Sequence, residues 1–390
     1  MPASIFDAFR DFSQYARTFY GWRTIRRPGM GVDFRADEYR EQAKRMVEAL
    51  HPARMRLRVI RVIQEAPSTK TFRLVRVDGP LPPFRAGQYI NLYVDFQGVL
   101  TSRPFSISSP PGRDYLDLTA RGLKRGFVSP YLAANIHVGD SLDASGPAGS
   151  FYHEPLIDGD DLVFLAGGSG ITPFMSMIRE QAEKGWPLQI ALLYGSRDPH
   201  DVIFADELAE LAKTTPRFRY CLQISDPPKN WRGPKGFLDA ALLRNEIGAP
   251  DGKTFYLCGP NAMYDFCLPE LAKFGAPRHK IKRELYGPPA DVARHVGWPA
   301  HLSPTAEFQV RVGDRVIPAI AGEPLINSLE RHGIVVPAVC RSGECSACRT
   351  KLIEGRVYMP PTAGVREADR QFGYIHACVA FPLTDLVVAV

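Results

Sequence analysis

No run of eighteen apolar residues occurs anywhere in this 390-residue sequence, so none of it suits a helix that spans a bilayer. The N-terminus, MPASIFDAFRDF, has no basic stretch leading into an apolar run and no small-residue cleavage site; a cytoplasmic protein is expected. Cysteine is scarce and odd in number. Seven in all, with four after residue 339, do not make the evenly paired framework of a disulfide-stapled secreted domain. A dominant charge is lacking too: the formal net charge of +6 is the difference between 48 basic and 42 acidic side chains spread along the chain, too diluted for nucleic-acid binding. None of the nine histidines falls in a metal-ligand or triad pattern, and His332 and His376 read as structural. No G-x-G-x-x-G fingerprint and no internal repeat is present.

What is present suits two or three globular domains, with 45% hydrophobic and 23% charged residues. Residues 1–54 read as a helical, Arg-rich extension. In it Phe6, Phe9, Phe12, Tyr15, Phe19 and Tyr20 recur mostly at three- and four-residue steps before the Pro28-Gly29 breaker, a stripe that suits docking on the main body or, alternatively, a partner or membrane-surface contact. From Met55 the period changes to two. MRLRVIRVIQ, TKTFRLVRV and AGQYINLYV alternate apolar with polar residues between turn formers such as Asp78-Gly79-Pro80, which predicts a small antiparallel β-barrel over 55–157. Over 158–285, DLVFLAGG, LQIALLYG, FRYCLQI and TFYLCG alternate with helical stretches. That is the pattern of a Rossmann-like parallel sheet covered on both faces, which binds ligands at the carboxyl ends of its strands. The Pro- and Gly-rich segment 286–304 reads as a linker. Residues 305–390 hold two strand candidates (EFQVRV, RVIPAI), a helix (PLINSLERHG) and a cysteine loop, so the fold class is multidomain, α/β and β.

Cys340, Cys345 and Cys348 are spaced C-x4-C-x2-C, and Cys378 follows after 29 further residues. Two irons need four thiolates, and Ser342, Gly343, Ser346 and Ala347 are small enough for a tight loop whose N–H groups turn toward the sulfurs. A structural zinc site would repeat the C-x2-C knuckle, and no second knuckle exists; the spacing is that of a plant-type [2Fe–2S] cluster. Residues 305–390 resemble the plant-type ferredoxins, which implies a β-grasp domain and a one-electron centre with a potential on the order of −400 mV. Charge departs from that pattern. Free ferredoxins are strongly acidic, whereas here nine basic residues balance nine acidic ones.

Arg103-Pro104-Phe105-Ser106-Ile107-Ser108-Ser109 offers a guanidinium for a phosphate, an aromatic face and hydroxyl groups. It resembles the R-x-Y-S signature of the ferredoxin–NADP reductase family, with Phe105 in place of the usual Tyr. By that resemblance Arg103 would bind the flavin phosphate, Phe105 would flank the isoalloxazine and Ser106 would lie near its N5. Arg121, in the strand LTAR, matches the family's basic flavin contact. Gly126-Phe127-Val128-Ser129 opens a helix suited to a pyrophosphate, which favours FAD over FMN and brings in Gly126, Val128 and Ser129.

Gly167-Gly168-Ser169-Gly170-Ile171-Thr172-Pro173 follows a strand and opens a helix; glycine permits close approach to a pyrophosphate, and Pro173 suits a first helical turn. It resembles the family's G-x-G-x-[ST]-P loop, in which Thr172 would lie close to the nicotinamide. Cys258-Gly259-Pro260 resembles the family's C-G-P motif, whose cysteine shapes the hydride-transfer pocket; Cys221 and Cys267 read as inert. Ser196 and Arg197 end a strand where the family contacts the adenosine ribose or its 2′-phosphate. A basic residue there suits NADPH, whereas the following acidic run from Asp198 to Glu207 resembles NADH-dependent members and tilts the reading to NADH.

Barrel, nucleotide domain and ferredoxin, in this order, resemble the single-chain reductases of oxygenases, hydroxylases and hybrid-cluster proteins. The resemblance implies hydride transfer from NAD(P)H to FAD, with Ser106, Thr172 and Cys258 at the reacting centre. Single electrons would then pass to the cluster and on to a separate redox protein. A flavin must stand between a two-electron donor and a one-electron centre. Two other readings stay open on sequence alone: a non-catalytic redox carrier or sensor, and a donor to a lipid desaturase held at a membrane through the N-terminal helix.

Overall fold

The computed structural model describes residues 37–50, 52–96, 98–122, 128–289, 291–361 and 363–390. The aromatic stripe from Phe6 to Tyr20 and the expected flavin contact Gly126 lie outside the described residues. The chain divides into two units, residues 1–52 and 53–390. In the first, Asp37–Leu50 is helical, as strong helix formers with Glu41 four residues before Arg45 and Lys44 four before Glu48 favour. No described helix is long and apolar enough to cross a membrane.

The second unit begins with six antiparallel strands: β1 (Met55–Ala66), β2 (Thr69–Arg76), β3 (Tyr89–Phe96), β4 (Val99–Ser106), β5 (Leu116–Arg121) and β6 (Ser141–Ala144), in spatial order β4-β3-β6-β1-β2-β5. The first half of β1 shows why they form a barrel: Met55, Leu57 and Val59 point into the core while Arg56 and Arg58 face water. A bridge between Ile107 and Leu118 joins the two outermost strands and closes the sheet on itself.

Five parallel strands follow, β7 (Asp161–Gly167), β8 (Gln189–Ser196), β9 (Phe218–Ile224), β10 (Lys253–Cys258) and β11 (Ile281–Glu284), in order β11-β10-β7-β8-β9. Along β7, Leu162 and Phe164 pack against helix Thr172–Lys184, while Val163 and Leu165 pack with Leu243 and Leu271 from two helices on the opposite face. Strand order reverses between β7 and β10, which puts a ligand crevice beyond their carboxyl ends.

The last sheet is mixed. β12 (Glu307–Val312), β13 (Arg315–Ile320), β14 (Arg349–Glu354), β16 (Tyr374–His376) and β18 (Leu386–Ala389) run in order β13-β12-β18-β14-β16, with β12 and β18 parallel, and β15 (Val357–Tyr358) pairs with β17 (Phe381–Pro382). Helix Leu325–Arg331 buries Leu325 and Leu329 on this sheet, giving the β-grasp arrangement. Within the segment read as a linker, Val292 and Trp298 are buried with Tyr358 and Phe381, so this stretch packs as part of the C-terminal body.

Candidate functional site

The cysteine loop runs into β14, Cys378 follows β16, and the four cysteines meet in two pairs. Cys340 lies beside Cys345, and the sulfurs of Cys348 and Cys378 are 3.1 Å apart. Among the described residues no three His, Cys, Asp or Glu groups converge as a single-ion site requires. Two pairs of thiols would supply the four thiolates that the two irons of a [2Fe–2S] cluster need, and this donor chemistry fits that group. The N–H groups of Ser342 and Cys345 point at Cys340 Sγ from 3.4 Å, and those of Cys340 and Ala347 at Cys345 Sγ from 3.5 Å. A hydrogen bond from the Cys345 thiol, joined by the N–H groups of Ser342 and Cys345, lowers the Cys340 thiol below its ordinary value. Gly343 has φ +86°, and a Cβ there would stand 2.8 Å from Val379 Cγ2, so the loop requires glycine. Beneath it His376 bridges the Gly343 carbonyl oxygen at 2.6 Å and Asp369 at 3.1 Å, and Asp369, also held by Arg349 and Arg366, is lowered to about 2.

A cavity of about 790 Å³ opens between barrel, nucleotide domain and C-terminal domain, within the range of cofactor pockets. Arg103, Phe105 and Ser106 from β4, Arg121 from β5, Val128 and Ser129 from the start of helix Val128–Asn135, and Thr172 all line it. The guanidinium groups of Arg103 and Arg121, a helix N-terminus and an aromatic ring around one cavity are the donor set a flavin dinucleotide needs. Burial, with the nearby Arg341 charge adding, lowers Arg103 to about 10, so it remains a cation. The tail of the same motif has a different use: Ser108 and Ser109 are fully buried and offer their carbonyl groups to Arg179 at 2.8 Å and Ser176 at 2.7 Å, docking helix Thr172–Lys184 on the barrel.

Gly167, Gly168, Gly170 and Pro173 are not in the cavity wall; they form the turn between β7 and helix Thr172–Lys184 at the carboxyl edge of the parallel sheet. Cys258, Gly259 and Pro260 close the neighbouring strand. The two loops touch backbone to backbone: a Cβ on Gly170 would stand 2.1 Å from the Cys258 carbonyl oxygen. Cys258 is fully buried, and burial, reinforced by Glu284, raises its thiol well above the ordinary value, so it is a neutral wall group. Ser196 and Arg197 end β8 further along the same edge, Ser196 buried and Arg197 exposed.

Two residues absent from the sequence reading complete the centre. Tyr286 lines the cavity and its hydroxyl bonds to that of Ser106. Glu284 is buried at the end of β11, and burial, reinforced by Glu344 and Cys340, raises its carboxyl to about 8. Their position at the carboxyl end of the last parallel strand is the signal that marks them, because ligands gather there. The acidic run after Arg197 is partly engaged elsewhere: Asp201 pairs with Arg121 and accepts from Ser68, and Glu207 pairs with Arg179.

The sequence matches an Oxidoreductase FAD-binding domain over residues 56–153, an Oxidoreductase NAD-binding domain over 164–268 and a 2Fe-2S iron-sulfur cluster binding domain over 310–383. It is 32% identical to the NADH oxidoreductase HCR of Escherichia coli (strain K12), across 86% of this chain and 97% of that protein. It is 29% identical to a glycine betaine monooxygenase reductase subunit of Chromohalobacter salexigens, across 86% of this chain and 95% of that one. Phthalate dioxygenase reductase shares the fold with a TM-score of 0.66 over 86% of this chain and 98% of its own, at 24% identity. The chain thus belongs to the ferredoxin–NADP reductase family of flavoproteins, in the group with a fused C-terminal plant-type [2Fe–2S] ferredoxin domain.

Proposed function

We propose that this reductase takes its hydride from NADH in preference to NADPH and delivers the electrons, one at a time, to an oxygenase- or hydroxylase-type redox protein. One observation carries the electron route: Cys378, a cluster thiol, lines the same cavity as Phe105, Ser106 and Thr172, so the flavin pocket and the cluster share a wall. A bound flavin supplies the exchange between two-electron and one-electron chemistry that no side chain offers. Arg103, Arg121 and the helix start at Val128 and Ser129 bind its phosphates, and Phe105 and Tyr286 border its ring. Ser106 and Tyr286 present their joined hydroxyls at the reacting edge. Thr172 and Cys258 shape the nicotinamide side, and the buried carboxyl of Glu284 holds a proton there at neutral pH. The glycines at 167, 168 and 170, with Pro173, Gly259 and Pro260, let the dinucleotide approach the backbone; Ser196 and Arg197 receive its adenosine ribose. Each hydride brings two electrons and one proton; two single-electron deliveries reduce two acceptor equivalents, and the proton is released.

The preference for NADH draws on the exposed Asp198 and Asp206 near Arg197 and on the name of the Escherichia coli relative; the kind of acceptor draws on that of the Chromohalobacter salexigens relative. Residues 55–157 then hold the flavin, 158–285 the nucleotide and 305–390 the cluster, with 286–304 as a linker and 1–54 as an N-terminal extension. Anaerobic mixing of the holoenzyme with each nucleotide tests it: NADH should bleach the flavin and then the cluster faster than NADPH does. A cluster left oxidised by both would overturn the route, and faster reduction by NADPH the preference.

A further inference from the structure

One hydroxyl joins three pieces of this electron route. Thr101 on β4 donates to Glu330 Oε2 at 2.9 Å and accepts from Arg103 Nη1 at 2.7 Å and Arg341 Nη2 at 3.1 Å. A hydroxyl has one proton to give and two lone pairs to offer, so this node is saturated. Arg341 also closes on Glu330 Oε1, and the two side chains are only 4% and 7% exposed. Arg341 directly follows the cluster ligand Cys340 and holds φ at 55°, a left-handed conformation unfavourable for a residue with a Cβ. Glu330 stands in the last turn of helix Leu325–Arg331, whose Ile326 and Asn327 wall the flavin cavity.

We propose that Thr101, Glu330 and Arg341 form a positioning latch that fixes the cluster loop against the flavin-binding strand and so sets the rate of the flavin-to-cluster electron step. The inference rests on the electron route proposed above. A buried ion pair is a poor means of simple adhesion, since an apolar contact of the same size stabilises as well or better. What it adds is register. The pair itself lies within the ferredoxin domain and holds two polar groups toward β4; any slide along that strand would pull both off the Thr101 hydroxyl and leave buried polar bonds unmade, so a single alignment is favoured. Electron transfer weakens steeply with distance, and holding one alignment therefore holds one rate. The strained backbone at Arg341 fits this account: the two bonds from its Nη2, to Thr101 and Glu330, offset a conformation the loop would otherwise relax.

The test uses full-length holoenzymes matched for FAD and iron content, carrying Glu330→Gln, Arg341→Lys or Thr101→Val. Each is mixed anaerobically with NADH while flavin and cluster absorbance are followed separately. The ratio of the cluster-reduction to the flavin-reduction rate constant should fall about tenfold or more in Glu330→Gln, which strands the Arg341 charge. Thr101→Val, which keeps the shape and removes both bonds from β4 to the pair, should lower it comparably, and Arg341→Lys, which keeps the charge, should lower it less. Combining Glu330→Gln with Thr101→Val should be less than additive, because both act on one node. If Glu330→Gln fails to hold its cluster, Thr101→Val reads the same ratio on an intact fold. A ratio within about twofold of wild type in the variants that assemble, a change too small to reflect loss of a buried partner, overturns the latch. A wild-type cluster that NADH never reduces would instead overturn the route beneath it.

Discussion

Ser106 shares its hydroxyl hydrogen bond with Tyr286, and either oxygen can donate. Ser106→Ala should slow flavin reduction by NADH about a hundredfold, the usual loss when a preorganised donor is removed from a reacting centre, and leave cluster content unchanged; stopped-flow absorbance and iron assay check both. Gly170 is restrained by a neighbour's backbone: a Cβ there would meet the Cys258 carbonyl carbon at 2.4 Å as well as its oxygen. Gly170→Ala should therefore cost about 1–3 kcal/mol, read as a lowered unfolding midpoint, and weaken nucleotide binding. At this scale the sequence was legible where a residue type is tied to chemistry, as with the four cysteines and the arginine–aromatic–serine run. It was silent on Thr101, Glu330 and Tyr286, ordinary residues whose roles come from partners 180 or more positions away.

Among the elements, FRYCLQI, placed by the strand–helix pattern, and the strand candidates EFQVRV and RVIPAI are strands over those residues. β11 was not foreseen, because IKRE offers a single apolar residue and no periodicity. Its register beside β10 comes from tertiary pairing, and Lys282 on it reaches Asp158 at 2.6 Å. Burial works to raise the Asp158 carboxyl, but hydrogen bonds from Lys282, Tyr256 and the Glu154 N–H outweigh it and hold the group below its ordinary value of 3.8. A depressed folded value stabilises above the unfolded value and is lost as pH falls through the folded one. Asp158→Asn should thus lower stability at neutral pH by about 3 kcal/mol, as expected for a broken buried pair, and the gap to wild type should narrow in acid. Thermal unfolding at several pH values measures this.

For the whole molecule, Cys340→Ala should abolish the cluster's visible absorption and electron delivery to a protein acceptor, while hydride transfer to the flavin, tested with a small-molecule oxidant, continues. The reason is spatial: Cys378 and Ser106 line one cavity but belong to the separate segments that match the 2Fe-2S and FAD-binding domains. The inventory of parts was legible in the chain's residues alone, because strand and helix periods, glycine loops and thiol spacing are local properties that a few neighbouring residues express. The order of the domains along the chain is legible there too. Only the tertiary structure decided how those parts meet: that Glu284 and Tyr286 join Ser106 and Cys258, that Asp201 engages Arg121, and that a ferredoxin helix walls the flavin cavity. These contacts depend on which surfaces can bury their charges together, and side chains far apart along the chain settle that only once it has folded.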